Sequence, residues 1–195
     1  QMGTTVGFPT MARASDAQGG AAKLVALKGV QEGYPLRGNL RVATQPDAPG
    51  EVTREVPARG QVWVDASLLE ALGLHVGDDL LLGDSTLRVA RIIVNEPDRG
   101  AGFSSFSPRV MLHSADLPAT HLILPASRIT YRFAVAGADA QAQTFEQWAT
   151  EQAKQREVRG LRVESLQGGR PEMRQTLDRA EKFLNLVALL AALLS

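Results

Sequence analysis

The sequence contains no cysteine in its 195 residues. This absence excludes disulfide bonds, thiolate metal sites, iron–sulfur clusters and cysteine nucleophiles from the chain. It does not identify a cellular compartment, because many periplasmic domains also lack cysteine.

The chain also has no excess of positive or negative charge, and aromatic residues are scarce. The 21 basic side chains balance 21 acidic ones, so the chain has no general attraction to nucleic acid, and we expect no nucleic-acid partner. Aromatic residues make up only 5% of the chain, so the core must consist of Leu, Val, Ile and Ala. A hydrophobic content of 44% over this length is sufficient for one large or two small domains.

Local motifs for catalysis and cofactor binding are missing as well. The sequence contains neither the GxSxG motif of hydrolases nor the GxxxxGK[ST] and GxGxxG motifs that bind phosphate groups. The three histidines, His75, His113 and His121, do not have the spacing of metal ligands. We therefore predict that the chain is not an enzyme and holds no cofactor or metal. A lipid hydrolase with a Ser-His-Asp triad assembled in three dimensions is the remaining catalytic alternative.

Apolar and polar residues alternate in many short segments, and this pattern predicts an α+β fold. Helices are expected at 66–72, where Asp65 can cap the first turn, and at 139–154. The pattern predicts strands at 6–13, 21–30, 36–43, 61–64, 80–82, 87–93, 110–112, 122–124, 129–136 and 161–166.

The last part of the chain changes character. An amphipathic helix is expected at 170–182, and residues 183–194 are apolar except for Asn185. Twelve helical residues rise about 18 Å, which is short of the roughly 30 Å hydrocarbon core of a bilayer. The run is either a buried terminal helix or the first part of a transmembrane helix. We favour the second, because no Gly or basic last turn closes the helix, and we expect the chain to be a piece of a longer protein.

The most unusual loop of the sequence is 96–106, with three charged residues, two glycines and two aromatic residues. Its Phe103 and Phe106 either tuck under the loop as anchors or contact a partner or lipid. Together with Arg99 and Arg109, they are our candidates for partner or cargo contact.

Several motifs occur in an order that resembles a known family. They are GYPLRG at 33–38, EPDRG at 96–100 and LDRA at 177–180, with shorter matches at 63–65 and 108–110. The chain resembles, over nearly its whole length, the first large extracytoplasmic domain of YbbP-type ABC transporter permeases, which are members of the FtsX/MacB-like superfamily.

The resemblance implies a two-part periplasmic domain. A porter-like α/β part is expected at 1–57 and 121–169, and a small β-rich α/β lobe is expected to be inserted at 58–120. A stalk helix at 170–195 would run into a transmembrane helix that continues beyond the chain. Its residues 172–194 contain no Pro or Gly that could interrupt it. The candidate coupling residues on this stalk are Arg170, Arg174 and Leu177.

The resemblance also implies a function. Such permeases lie in the inner (plasma) membrane, with this domain on the periplasmic side, and a separate cytoplasmic ABC ATPase binds ATP for them. Motion of the ATPase is transmitted to the handling of lipid-like cargo or periplasmic proteins. The implied partners are the ATPase, a second extracytoplasmic domain of the same permease and a periplasmic esterase of the lysophospholipase/thioesterase type. The alternative from another class is a free-standing periplasmic binding or adaptor module without a role in transport.

Overall fold

The computed structural model of the chain describes residues 1–99, 106–124, 127–154 and 160–164. The fold is α+β, as the sequence predicts, and the chain divides into two compact units, Gln1–Ala136 and Gly137–Ser195. We refer to these as the first and second units. The first unit holds a mixed sheet of nine strands.

The strands are β1 (Met2–Ala14), β2 (Ala22–Val30), β3 (Leu40–Ala43), β4 (Glu51–Thr53), β5 (Gln61–Asp65), β6 (Asp79–Leu82), β7 (Ser85–Asn95), β8 (Arg109–His113) and β9 (Thr130–Val135). The helices are α1 (Ala66–Leu72), α2 (Leu117–Thr120) and, in the second unit, α3 (Asp139–Ala153). In α3 the rings of Phe145 and Trp148 lie 5.7 Å apart.

Six strands form a closed ring in the order β1, β2, β8, β5, β7, β6, with β6 pairing back to β1. The pairs β2/β8 and β5/β7 are parallel, and the other pairs in the ring are antiparallel. The length of β1 permits it to pair with β9 through residues 2–7 and with β6 through residues 12–14. The ring therefore leaves β3, β4 and β9 as outlying strands: β3 pairs with β7, β4 with β3, and β9 with β1.

The interior of the ring is packed with aliphatic side chains. Because side chains alternate between the two faces of a strand, every second residue points inward. The inward residues include Val25 and Leu27 of β2, Val62 and Val64 of β5, and Leu80 of β6, all of which are fully buried. As the composition predicts, these residues are Leu and Val with almost no aromatic contribution.

The outer face of β2, β5 and β8 carries a second and smaller apolar cluster. It includes Val30, Trp63 and Met111, together with Tyr34 from the segment that follows β2. The same alternation that sends Val62 and Val64 inward places Trp63 on this outer face. This face also carries the charged residues described below.

The observed division of the chain differs from the predicted one. The predicted lobe at 58–120 supplies β5 to β8, and β6 and β8 hydrogen-bond directly to β1 and β2. Residues 1–57 and 58–120 thus share one sheet, and the structure divides the chain after Ala136. The physical reason is that β1 and β2 each offer an unpaired edge, and these edges are satisfied by strands that are distant in sequence.

Further local expectations differ from the structure. Asp65 lies at the N-cap of α1 but makes no capping hydrogen bond with its side chain. The described residues 122–124 and 161–164 are not in strands, although the sequence pattern predicted a strand at each place. The predicted stalk at 170–195, with Arg170, Arg174 and Leu177, lies outside the described residues. Within the described part of the chain, none of the helices combines the length and apolar character needed to cross a membrane.

Candidate functional site

A group of charged side chains lies on the outer face of the ring, beside the described ends, 96–99 and 106–108, of the segment that joins β7 to β8. Lys28 of β2, Asp65 of β5 and Arg109 of β8 point to this face because β2, β8 and β5 are neighbours in the sheet. Residues outside the strands complete the group. We call the following seven residues the charge cluster: Lys28, Tyr34, Asp65, Glu96, Asp98, Arg99 and Arg109.

Lys28 lies at one end of the charge cluster. Its Nζ donates hydrogen bonds to Glu96 Oε1 at 2.9 Å, Asp98 Oδ1 at 2.8 Å and Tyr34 Oη at 3.0 Å. The Tyr34 hydroxyl in turn donates to Asp98, and its ring centroid lies 4.5 Å from the ammonium group. All three protons of the ammonium group therefore have partners.

Arg109 lies at the centre of the charge cluster, and only 5% of its side chain is exposed. Its Nε donates to Glu96 Oε2 at 2.7 Å, its Nη1 to the carbonyl oxygen of Ala26 at 3.2 Å and its Nη2 to that of Arg99 at 3.1 Å. Its backbone N–H donates to Asp65 Oδ2 at 2.8 Å. The guanidinium group thus faces protein on all three of its nitrogens.

Arg99 lies at the other end and is half-buried. Its guanidinium group binds both oxygens of the Asp65 carboxylate, with Nη1 at 3.1 Å from Oδ1. Its Nη2 also donates to the carbonyl oxygen of Ser107 at 3.1 Å. This paired geometry with Asp65 is the strong, planar arrangement that arginine and carboxylate prefer. It explains why Asp65 does not cap α1, since both of its oxygens are already occupied.

The charges of the cluster balance. Three cationic side chains, Lys28, Arg99 and Arg109, face the carboxylates of Asp65, Glu96 and Asp98. The Glu96 side chain is fully buried, so its charge is tolerated only because Lys28 and Arg109 each bind one of its oxygens.

Neighbouring groups shift pKa values within the cluster. Burial acts to raise the pKa of Asp98, but Lys28, the Tyr34 hydroxyl and the charge of Arg132 together hold it below its usual range. Burial and the carboxylates of Glu96 and Asp98 raise the pKa of Tyr34 well above its usual range. The tyrosine therefore stays protonated and serves Asp98 as a hydrogen-bond donor.

The structure places the four predicted contact residues in different environments. The guanidinium groups of Arg99 and Arg109 point into the charge cluster, so they are engaged with protein groups. Phe106 is 89% exposed and is therefore not an anchor under the loop. Phe103 lies outside the described residues. Contact between this loop and a partner stays a prediction.

Sequence reasoning missed most of the charge cluster. Lys28, Tyr34, Asp65, Glu96 and Asp98 were not among the predicted site residues, although four of them lie in the motifs at 33–38, 63–65 and 96–100. The available signal was the alternation in β2, β5 and β8, which places a charged residue on an otherwise apolar outer face.

An apolar groove is the second notable surface of the first unit. It has a volume of about 430 Å³, with Val6 of β1 and Leu117 of α2 among its buried lining residues and Ile123 and Tyr131 among its exposed ones. Hydroxyl groups and one amide supply its polar groups, and the described residues that line it include no acidic or basic side chain. Such a surface suits an uncharged, apolar ligand.

The histidines of the chain form three separate pairs with carboxylates, His75 with Asp78, His113 with Glu32 and His121 with Asp84. No group of three or more His, Asp or Glu side chains suited to hold a metal occurs in the described ranges. The pKa of Glu32 is lowered by a backbone hydrogen bond and by the neighbouring His113.

Comparison with known proteins identifies the class of fold and then the family. The extracellular domain of the noncanonic ABC-type transporter YknZ from Gram-positive bacteria has the same fold, with a TM-score of 0.50, 13% identity, and coverage of 78% of this chain and 74% of that one. The periplasmic region of MacB from Actinobacillus actinomycetemcomitans gives a TM-score of 0.47, 17% identity, and coverage of 77% of this chain and 65% of that one. The fold of this chain is thus that of the YknZ domain.

The sequence itself points to a particular family. All 195 residues align at 33% identity with the ABC transporter permease YbbP of Escherichia coli (strain K12), and the chain spans 22% of the length of that protein. This similarity confirms the resemblance to YbbP-type ABC transporter permeases that was predicted from the motifs. No protein-family profile matches the chain.

Proposed function

We propose that the chain is the periplasmic domain of an ABC transporter permease in the inner membrane. The observation that supports this most is the 33% identity to YbbP over the full length of the chain. We propose no catalytic activity and no cofactor for this chain. We propose that ATP is bound by a separate cytoplasmic ATPase. The domain then works by transmitting the motion of that ATPase, in contact with a second extracytoplasmic domain of the same permease.

The build of the first unit supports a role in transmitting motion. The backbones of Gln1 and Ala136 hydrogen-bond to each other at 2.8 and 2.9 Å, so both ends of this unit leave from one edge. Its ring of strands is closed and its interior is tightly packed, and packed interiors deform little under stress. A displacement applied at that edge moves the unit as one body. The stalk residues Arg170, Arg174 and Leu177 are proposed to deliver this displacement.

The apolar groove supports the proposal that the cargo is lipid-like or hydrophobic. Its volume of about 430 Å³, and the absence of acidic and basic side chains among the described residues that line it, suit an alkyl chain better than a charged solute. A periplasmic esterase of the lysophospholipase/thioesterase type would act on such a cargo and is proposed as a partner. The exposed Phe106, with Phe103, is proposed as the contact surface for a partner protein.

The test uses the full-length permease that contains this chain, expressed with its ATPase. A photo-crosslinking amino acid replaces Tyr131 in the groove or, as the control, the exposed Lys23 near the other end of the sheet. We expect lipid-like adducts at position 131 alone, and fewer of them when the ATPase is inactivated by mutation. A failure of any ABC ATPase to co-purify would contradict the proposed function. Adducts that do not depend on ATP hydrolysis would contradict the proposed coupling.

A further inference from the structure

The two ends of the β7–β8 loop are tied to each other by their own arginines. The Arg109 side chain bonds the carbonyl oxygen of Arg99, and the Arg99 side chain bonds the carbonyl oxygen of Ser107. A third bond joins Arg109 Nε to Glu96 Oε2. Each side of the loop therefore holds the backbone or carboxylate of the other.

The same residues attach the loop to the sheet. The Asp65 carboxylate binds the Arg99 guanidinium group and the backbone N–H of Arg109, and so it holds both ends of the loop at the end of β5. Arg109 Nη1 bonds the carbonyl oxygen of Ala26 in β2. Lys28 of β2 holds Glu96. The ends of the loop are thus fixed relative to β2, β5 and β8.

We propose that Arg99 and Arg109 are positioning residues, which fix the place of Phe106, and that Asp65 is the point to which both attach. This assignment rests on the proposed contact role of the loop and removes the two arginines from the set of contact residues. It is carried by geometry, because their guanidinium groups face the protein, whereas Phe106 is 89% exposed.

The substitution Arg109→Lys distinguishes a contact role of this residue from a positioning role. The guanidinium group of Arg109 bonds Glu96, Ala26 and Arg99 through three different nitrogens. A lysine keeps the positive charge but cannot reproduce this planar set of donors. If Arg109 contacted a partner through its charge, Arg109→Lys would retain the function. A positioning residue is not rescued in this way.

The first experiment measures opening of the loop in the 195-residue chain, whose lack of cysteine removes any background. Ser107→Cys introduces a buried thiol in the loop, and Val89→Cys introduces one in the ring interior. The rate of thiol labelling is then compared for the wild-type background, Arg109→Lys, Asp65→Asn and the exposed control Arg88→Lys. Labelling at position 89 reports global unfolding and separates it from local opening.

We expect Arg109→Lys and Asp65→Asn each to accelerate labelling at position 107 at least tenfold more than at position 89. Arg88→Lys should leave both rates unchanged. The proposal is overturned if Arg109→Lys labels at position 107 like the wild-type background. It is also overturned if the rates at positions 107 and 89 rise equally, because the arginine would then stabilise the whole fold instead of the loop.

The second experiment tests the contact itself in the full-length permease, with a photo-crosslinking amino acid at position 106. We expect a protein adduct that Arg109→Lys weakens at least fivefold and Arg88→Lys does not. An adduct that Arg109→Lys leaves unchanged contradicts the positioning role. Absence of any protein adduct contradicts the proposed contact role of the loop, while the labelling result decides separately whether the arginines hold the loop.

Discussion

Replacing Lys28 by Met removes the charge at one end of the charge cluster while keeping most of the aliphatic volume. The substitution deletes hydrogen bonds to Glu96, Asp98 and Tyr34 at 2.8 to 3.0 Å. Only 7% of the Lys28 side chain is exposed, and Glu96 is fully buried, so water cannot readily replace the ammonium group. The variant leaves two carboxylates with one cation fewer.

The expected loss in the free energy of unfolding depends on which groups still neutralise the two remaining carboxylates. Removing one partner of a buried ion pair costs about 3–5 kcal/mol. Glu96 keeps Arg109, and the Asp98 side chain is 36% exposed and can be hydrated, so we expect the lower end of this range. With a urea dependence of about 2 kcal/mol per M, the midpoint of unfolding should fall by roughly 1.5 M.

The assay is equilibrium unfolding in urea at neutral pH, with Lys23→Met as the matched control. Lys23 lies on the same strand but is exposed, so its replacement should change the free energy of unfolding by less than about 0.5 kcal/mol. If Lys28→Met were no more destabilising than Lys23→Met, the interpretation of the cluster as a coupled and desolvated network would be refuted.

Three further predictions concern strand β6, the β6–β7 turn and the dependence of stability on pH in the acidic range. Leu80→Ala, inside the ring, should cost about 2–5 kcal/mol in urea unfolding, far more than the same change at its partly exposed neighbour Leu81. Gly83→Ala should lower the temperature of thermal unfolding more than Gly73→Ala. Both glycines have a positive φ, but a Cβ at position 83 would lie 2.0 Å from a backbone oxygen, whereas a Cβ at position 73 would meet no atom within 4 Å. Asp98 has a lowered pKa, so its contribution is present above the unfolded-state pKa near 4 and is lost as pH falls through the folded-state value. The difference in urea midpoint between wild type and Asp98→Asn should therefore shrink below about pH 4, and a constant difference would contradict the assignment.

Local patterns predicted much of the secondary structure. The helix α1 occupies the predicted range 66–72 and ends at Gly73, which has a φ of 66° as a helix-ending glycine requires. The strands predicted at 80–82 and 87–93 lie within β6 and β7, which a turn at Gly83 joins. The second-unit helix α3 also lies within the range 139–154, where a helix was predicted. In each case the deciding contacts lie within a few residues of one another.

Closure of the ring could not be predicted in this way. The pairing of β1 with β6 joins residues near Ala12 to residues near Leu82, and several aliphatic strands in the sequence could have offered an equivalent edge. The lobe at 58–120 was expected from the family resemblance, whereas β8, which lies in this range, pairs with the distant β2. Choice among similar strands depends on the packing of the whole interior.

The candidate site was predicted only in part, for a related reason. Arg99 and Arg109 were singled out as contact residues, which stays a prediction, and their partners in the charge cluster were not singled out. Asp65 is 34 residues from Arg99, and Lys28 is 68 residues from Glu96. A charged residue in a motif suggests a surface contact until the sheet order shows which other charge lies opposite it.

The most direct test of the central claim, that this chain is an extracytoplasmic part of a membrane permease, is a labelling experiment on the full-length protein. Lys23→Cys places a thiol on an exposed position of β2, and spheroplasts are treated with a membrane-impermeant thiol reagent, with the unsubstituted permease as the reference. The account predicts labelling of the variant in intact spheroplasts. Labelling that occurs only after the membrane is lysed would contradict it.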